Sequence, residues 1–221
     1  MVERNSGVRG LLARPSLYEL FQRAIGASGV RRLFVDRYVR VQPGERVLDV
    51  GCGTGELFNW LPEVEYVGFD PNERYIASAR ARGLGNRAQF HVGAVERINA
   101  AELGRFDRVI AQGVLHHLDD AAAQRLVEIA AAVLDADGRL VTFDPCFSPH
   151  QSRWSRALVA RDRGANVRTS DAYRALAARE FDDVLVHEHH DLIRIPYSHT
   201  VLEAAGARIP GRVPDAPTTT P

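Results

Sequence analysis

The chain has 221 residues, 45% hydrophobic and 25% charged, which is enough for one globular domain with a substantial core. Lys+Arg and Asp+Glu both total 28, so no whole-molecule field is expected to recruit nucleic acid or a membrane surface, although a local basic patch is compatible with that balance. The two cysteines, Cys52 and Cys146, belong to no CxxC pair or spaced metal cluster and fit a reduced, cytoplasmic setting; no apolar run approaches the roughly 18 residues of a membrane span.

In chain order, 17–25 and 30–39 read as helices, with Tyr18, Leu20 and Phe21 making the earlier one aromatic and amphipathic; residues 1–41 would form an N-terminal helical cap. Segments rich in Val, Ile and Phe recur at 46–50, 65–69, 88–92, 107–111 and 139–143 with helical stretches between them, the alternation of βαβ units in a parallel sheet. One helix is expected to start at Asn72 as cap, bury Tyr75, Ile76 and Ala79 and stop near Gly83; Pro62 ends the helix before it. Another spans 120–136, with Leu126, Ile129, Ala130, Val133 and Leu134 as its buried stripe, Asp119 as cap and Gly138 after its end.

Beyond Phe143 the pattern changes. Helices are expected over 151–161 and 171–179, inside an acceptor-side insertion at 149–180, followed by strands over 183–189 and 192–202 joined by a turn near His190 and Asp191. An antiparallel edge hairpin accommodates these strands. Residues 204–221 hold four prolines and a Thr-Thr-Thr run and read as a disordered tail, leaving 42–203 as the main domain.

The segment Val47-Leu48-Asp49-Val50-Gly51-Cys52-Gly53-Thr54-Gly55 carries the most chemistry: an apolar strand runs straight into three alternating glycines and then a helix. Glycine allows positive φ and lets a ligand approach without meeting a Cβ, and the helix that follows would point free N–H groups at the same space. Asp70 ends the next strand, where a carboxylate can accept from both hydroxyls of a ribose or cap the helix after it. Cys52 lies beside that helix start, a setting that lowers a thiol pKa, but with no base nearby it reads as a packing residue.

This combination resembles the class I S-adenosylmethionine-dependent methyltransferases, whose first motif has the form GxGxG; a nicotinamide enzyme would show GxGxxG. The resemblance spans about residues 39–143 and takes in Phe90-His91-Val92-Gly93-Ala94-Val95-Glu96, the strand 106–112 and the turn Asp137-Gly138-Arg139-Leu140. It implies a Rossmann-like α/β fold with a seven-stranded, mostly parallel sheet, an antiparallel edge hairpin and helices on both faces. It further implies S-adenosylmethionine as cofactor: Asp49, Gly51, Cys52 and Gly53 around the methionine portion, Asp70 on the ribose, Ala94 and Val95 at the adenine edge, Gln112 on the amino group, and Phe69 and Pro71 flanking the ring. Many family members have aspartate where this chain has Ala94, so the adenine amino group would need a backbone carbonyl, a water or Glu96.

Ligands in open α/β sheets bind beyond the carboxyl ends of the strands, which puts His116 and His117 near the point of methyl transfer, as general base or as braces of their loop. The Asn/Asp-Pro-Pro-aromatic run of methyltransferases acting on amide or exocyclic amino groups is missing after this strand; Asp144-Pro145-Cys146-Phe147 follows the fifth strand instead. Acceptor choice is expected from Trp154 and from Arg153, Arg156, Arg161, Arg163 and Arg168, which either hold an anionic acceptor or form a solvated face paired with Asp162 and Asp171. His187 and His189 share a strand face but do not by themselves make a metal site. The leading expectation is a small-molecule O- or N-methyltransferase with no membrane or nucleic-acid partner and no expectation on oligomeric state; the alternatives are an RNA or protein methyltransferase and a donor-binding protein without methyl transfer.

Overall fold

The structure is a computed structural model that describes residues 27–162, 164–193 and 195–208. Strands β1 (Arg46–Val50), β2 (Glu65–Asp70), β3 (Ala88–Val92), β4 (Phe106–Gln112) and β5 (Leu134–Phe147) form the parallel part of the sheet, and β7 (Phe181–His189) and β8 (His199–Ala207) close one edge antiparallel. The strand order is β3-β2-β1-β4-β5-β8-β7, with the two-residue β6 (Arg168–Thr169) pairing beside the end of β5. The order reverses between β1 and β4, so the crevice beyond their carboxyl ends is the switch point of the sheet.

Strands covered on both sides need continuous apolar runs. In β1 every residue after Arg46 is buried, and two apolar layers account for it. Leu48, Val109, Leu140 and Leu202 share a layer with the short α3 (Ala100–Leu103), α4 (Asp120–Val133) and α6 (Ser170–Ala177), while Val47, Ile110, Val141 and Val201 face α1 (Ala27–Phe34) and α2 (Glu73–Ala81). Phe34 and Ile76 on one face and Ile129 on the other are at most 1% exposed. Each such burial is worth roughly 1.5–3 kcal/mol.

The expected caps are present: Asn72 Oδ1 accepts from the backbone N–H of Arg74 and Tyr75, and Asp119 Oδ1 from that of Ala122. Tyr75, however, is 37% exposed, because α2 turns only Ile76 and Ala79 inward. The helix expected over 30–39 is α1 followed by a wide turn, Val35–Val39, closed by Arg40 at φ +49°. That widening puts Val35, Tyr38 and Val39 against the sheet together.

Several boundaries differ from the expectations: the helix expected over 120–136 stops at Val133, and Leu134 and Gly138 belong to β5. β7 and β8 are joined by nine residues rather than a tight turn, so the second strand starts at His199, not 192. β8 runs on through Ala204 to Ala207, the first four residues of the segment read as tail, because Ala204 is buried against Leu140 and Val184 across both neighbouring strands. The acceptor-side helices are shorter than expected: α5 is Arg153–Val159 and α6 is Ser170–Ala177. The expected helix at 17–25, with Tyr18, Leu20 and Phe21, the side chains of Arg163 and Arg194, and the remainder of the tail from 209 lie outside the described residues.

Candidate functional site

At the end of β1 the backbone N–H groups of Gly51 and Cys52 both donate to the Phe69 carbonyl, at 2.7 and 3.0 Å, folding the chain back across β2. Gly51 (φ +80°) has no room for a side chain: a Cβ there would lie 2.4 Å from Val114 Cγ2. Gly53 (φ +55°) faces open space, the cradle a ligand needs.

The loop does not continue into a regular helix. Glu56–Trp60 is a single five-residue 3₁₀ turn, too short for the helix-terminus contribution expected from the sequence. Arg82, at the end of α2, supports the loop instead: its guanidinium donates to the carbonyls of Thr54 (3.1 Å) and Gly55 (2.5 Å) and to the Asn59 side chain. Nothing in the sequence marked it, because it lies 28 residues from Thr54.

Asp70 crosses the crevice. Its Oδ2 accepts from Gly53 N–H at 3.0 Å and its Oδ1 from Asn72 N–H at 2.8 Å, and the residue is 8% exposed. It therefore ties loop to strand as well as facing the cleft. Asp70→Ala is expected to weaken binding of S-adenosylhomocysteine by calorimetry and also to lower the melting temperature, each lost charged hydrogen bond being worth roughly 1.5–3 kcal/mol. A variant with unchanged affinity would remove Asp70 from the ligand site.

Asp49 is 2% exposed and accepts from the Tyr66 hydroxyl at 2.5 Å. Burial raises its pKa to about 7; the Tyr66 hydrogen bond opposes that, and the Asp70 carboxylate adds to it. Cys52 is a packing residue, its sulfur 2.8 Å from where a Gly68 Cβ would stand. Burial, together with Asp49 and Asp70, pushes its thiol up, the reverse of what proximity to a helix start implied.

The other residues expected around the cofactor stand at the carboxyl ends of β2, β3 and β4. Gly93 N–H donates to the Asp70 carbonyl at 3.1 Å, which places Ala94 half-buried and Val95 buried next to the crevice. Phe69 stacks on His91 with centroids 5.0 Å apart, Pro71 is exposed, and Gln112 is half-buried at the tip of β4.

On the other side of the switch point, His116 and His117 form a short turn with their rings 4.0 Å apart. They are not equivalent. His116 is 6% exposed; its backbone N–H and Nδ1 both meet Asp144 Oδ1, at 3.2 and 2.7 Å, while Nε2 faces Asp162 Oδ1 at 3.4 Å. A carboxylate only accepts, so Nδ1 donates to Asp144, while Nε2 stands opposite a second carboxylate, Asp162, in the insertion. His117 is half-buried.

The insertion clasps this turn. Asp162 accepts from Gly164 N–H (2.8 Å) and from the Tyr197 hydroxyl, and Asn166 N–H donates to the His116 carbonyl (3.0 Å). Arg168 donates to the carbonyls of Leu115 (2.8 Å) and Leu118 (2.9 Å) and pairs with Asp120 at 2.7 Å. Of the expected arginine cluster, Arg168 thus braces the histidine turn, Arg156 lies over the Phe147 ring, and Trp154 points outward; Asp162 is turned inward rather than pairing along the helix face. Gly164→Ala is expected to cut turnover with little change in donor affinity, because the added Cβ would sit 2.1 Å from His116 Cδ2 and 2.4 Å from its carbonyl oxygen. Full activity in that variant would show that the clasp yields without disturbing the turn.

The histidines at the end of β7 and just after it are individually occupied: His187 Nε2 meets Glu203 at 3.1 Å, His189 Nε2 meets the Tyr38 hydroxyl at 2.6 Å, and His190 Nδ1 meets Ser198 Oγ at 3.0 Å. Burial lowers the pKa of His199 to about 4 and keeps that ring neutral on Phe143, 4.8 Å away.

A parallel sheet with a reversed order at β1/β4, an antiparallel edge pair, a GxGxG turn and an acid at the tip of β2 define the Rossmann-like class I methyltransferase fold. Residues 47–138 match a family model described as a methyltransferase domain, in keeping with the resemblance to the class I S-adenosylmethionine-dependent methyltransferases. Among curated proteins, the ubiquinone biosynthesis O-methyltransferase of Bordetella parapertussis is 36% identical over 104 residues, covering 45% of this chain and 42% of its own. Phosphoethanolamine N-methyltransferase 1 of Arabidopsis thaliana is 28% identical over 164 residues, 72% of this chain and 33% of its own. The chain spans less than half the length of these curated relatives. Among solved structures, phosphoethanolamine N-methyltransferase 2 of Haemonchus contortus, in complex with phosphomonomethylethanolamine and S-adenosylhomocysteine, superposes with a TM-score of 0.71 at 14% identity, covering 93% of this chain and 61% of that one. The [4+2]-cyclase SpnF shares the fold at a TM-score of 0.63 and 18% identity, covering 82% of each chain.

Proposed function

We propose that this chain transfers a methyl group from S-adenosylmethionine to an oxygen or nitrogen atom of a small molecule. The observation that carries the reading is the loop at the switch point: Gly53, open to the cleft, is held by Asp70 across it, beside a buried Asp49. The residues present fit the cofactor, since the cradle lacks side chains and two carboxylates border it, as a positively charged sulfonium and ammonium and a ribose diol require. Bound there, the cofactor supplies a methyl on a positively charged sulfur.

The chain's own groups then have two tasks. The loop, Asp70 and the rim at Val95 fix the donor, and alignment of this kind contributes up to roughly 7–11 kcal/mol. The His116–Asp162 pair takes the proton that an O–H or N–H acceptor releases, with Asp144 holding the ring from behind. The relatives are a ubiquinone biosynthesis O-methyltransferase and a phosphoethanolamine N-methyltransferase, which supports a small-molecule acceptor of either atom type.

Incubation with methyl-labelled donor and a small-molecule extract of the source cells tests this, with one or more low-mass labelled products expected. Label found only in protein or RNA would favour a polymer acceptor. Donor binding by calorimetry with no label in any fraction would favour the reading that SpnF illustrates, a shared fold carrying other chemistry.

A further inference from the structure

Asp144 is only half accounted for by the histidine turn. Its Oδ1 meets both the backbone N–H and Nδ1 of His116, but Oδ2, on a residue 0% exposed, has no hydrogen-bond partner among the described residues. A buried carboxylate oxygen without a donor is among the most costly polar groups a fold can carry, so such an atom marks a place where something donates. The strong donors beside this end of β5 are committed elsewhere. Tyr173 gives its hydroxyl proton to the Pro145 carbonyl at 3.2 Å, and Arg168 is spent on the Leu115 and Leu118 carbonyls and on Asp120.

Six buried polar side-chain atoms lack a partner among the described residues, and three of them belong to neighbouring positions on one sheet face. Besides Asp144 Oδ2 they are the hydroxyls of Thr142, two residues earlier on β5, and of Thr200, directly opposite Asp144 on β8; the two threonines are 1% and 0% exposed. Alternation puts Thr142 and Asp144 on the same face, and opposite residues of an antiparallel pair share a face with Cβ atoms about 4.5–5.5 Å apart. The rest of that face is apolar, with Leu140 beside Thr142 and Leu202 opposite it. Valine fits a strand position as well as threonine does, so packing alone calls for neither hydroxyl. Glu188, the next residue across the row, does not take up the Thr200 hydroxyl, because its carboxylate is turned to Ser148 and His190.

We propose that Thr142 and Thr200 hold one internal water molecule against Asp144 Oδ2 and are positioning residues for His116. A water has two hydrogens to give and two lone pairs. It donates to Oδ2 and to one threonine oxygen and accepts from the other hydroxyl, which satisfies all three atoms at once. With Oδ2 held in this way the carboxyl group does not rotate, and Oδ1 stays on the backbone N–H and Nδ1 of His116. The three oxygens are buried, so their occupant is separate from the methyl acceptor. The positioning role rests on the reading of His116 as part of the proton-accepting pair, whereas the water site does not.

Two measurements on the full chain test the two halves. In a high-resolution crystal structure of the parent, density is expected for a water within hydrogen-bond reach of Asp144 Oδ2, Thr142 Oγ1 and Thr200 Oγ1. Thr200→Val exchanges the hydroxyl for a methyl of similar size; its kcat on the acceptor recovered by labelling should fall about tenfold, with KM and the affinity for S-adenosylhomocysteine within about twofold of the parent. Thr200→Ser, which keeps the hydroxyl, should recover most of that loss. Thr142→Val should behave as Thr200→Val does, and the double variant should cost little more than either, since one water serves both. No water at that point, or a threonine hydroxyl bonded directly to Oδ2, would overturn the site. A bound water beside parental kcat in Thr200→Val, or an equal loss in Thr200→Ser, would overturn the positioning role. Parental turnover in His116→Asn is the separate result that defeats the reading of His116, and it leaves the crystallographic result standing.

Discussion

His116→Asn is expected to lower turnover by about 10²–10⁴-fold while leaving the affinity for S-adenosylhomocysteine within about twofold of the parent. Asparagine keeps a side-chain N–H that can reach Asp144, so the turn retains its support, but it offers no basic nitrogen where Nε2 stood. The separation of the two effects follows from the geometry: the proposed donor site is the loop after β1 with Asp70, whereas His116 is fixed from β5 and from the insertion. Transfer by the variant should recover at high pH for an acceptor that ionises there, because the missing proton acceptor is then supplied by solvent. His117→Asn, changing the half-buried neighbour whose ring packs on His116, should cost less. The measurement is single-turnover transfer to the acceptor recovered by labelling, beside calorimetry on each variant. Equal turnover of His116→Asn and the parent would reduce His116 to a brace.

Much of this site was readable before any coordinates. The five parallel strands, the two capped helices and the GxGxG turn are local patterns: periodicity, a cap residue and a glycine each act within a few positions, so sequence order reports them. The acid at the end of β2 is equally local, since strand and turn lengths fix where it stands. What the sequence did not reveal is the set of side chains that make the histidine turn asymmetric. Asp144 lies 28 residues from His116, Asp162 farther still, and Arg168 crosses 53 residues to the Leu115 carbonyl. Proximity along the chain would have paired Arg168 with Asp171, yet the bond goes to Asp120 because β6 runs beside the end of β5 and delivers the guanidinium to the start of α4. The edge pair was misjudged for a related reason. Its register is set by Leu140 and Val184 on either side of Ala204, a contact among three strands that no periodicity within 192–207 encodes.

The strand that leads into the glycine loop carries an electrostatic cost at Asp49, and Asp49→Asn should expose that cost in two opposite readouts. The native pKa of Asp49 is about 7, against roughly 3.9 in an unfolded chain. Between those values the native state holds a proton that the unfolded state has released, so stability falls as pH rises from about 4 to 7 and stays lowered above it. A shift of this size corresponds to a penalty on the order of 2–4 kcal/mol for the fully buried carboxylate. Asparagine, which still accepts from the Tyr66 hydroxyl, removes the charge; the variant should match the parent near pH 4 and melt at a higher temperature at pH 8. Its affinity for S-adenosylmethionine should fall by about 10–100-fold, because a charge-assisted contact to the cationic ligand is lost. The parent should release a fraction of a proton on binding near pH 7, seen as a dependence of the calorimetric heat on the buffer's ionisation enthalpy, and the variant should release none. Stability and affinity falling together in Asp49→Asn would mean that the carboxylate is a structural hydrogen-bond partner of Tyr66 and not a counter-charge kept for the donor.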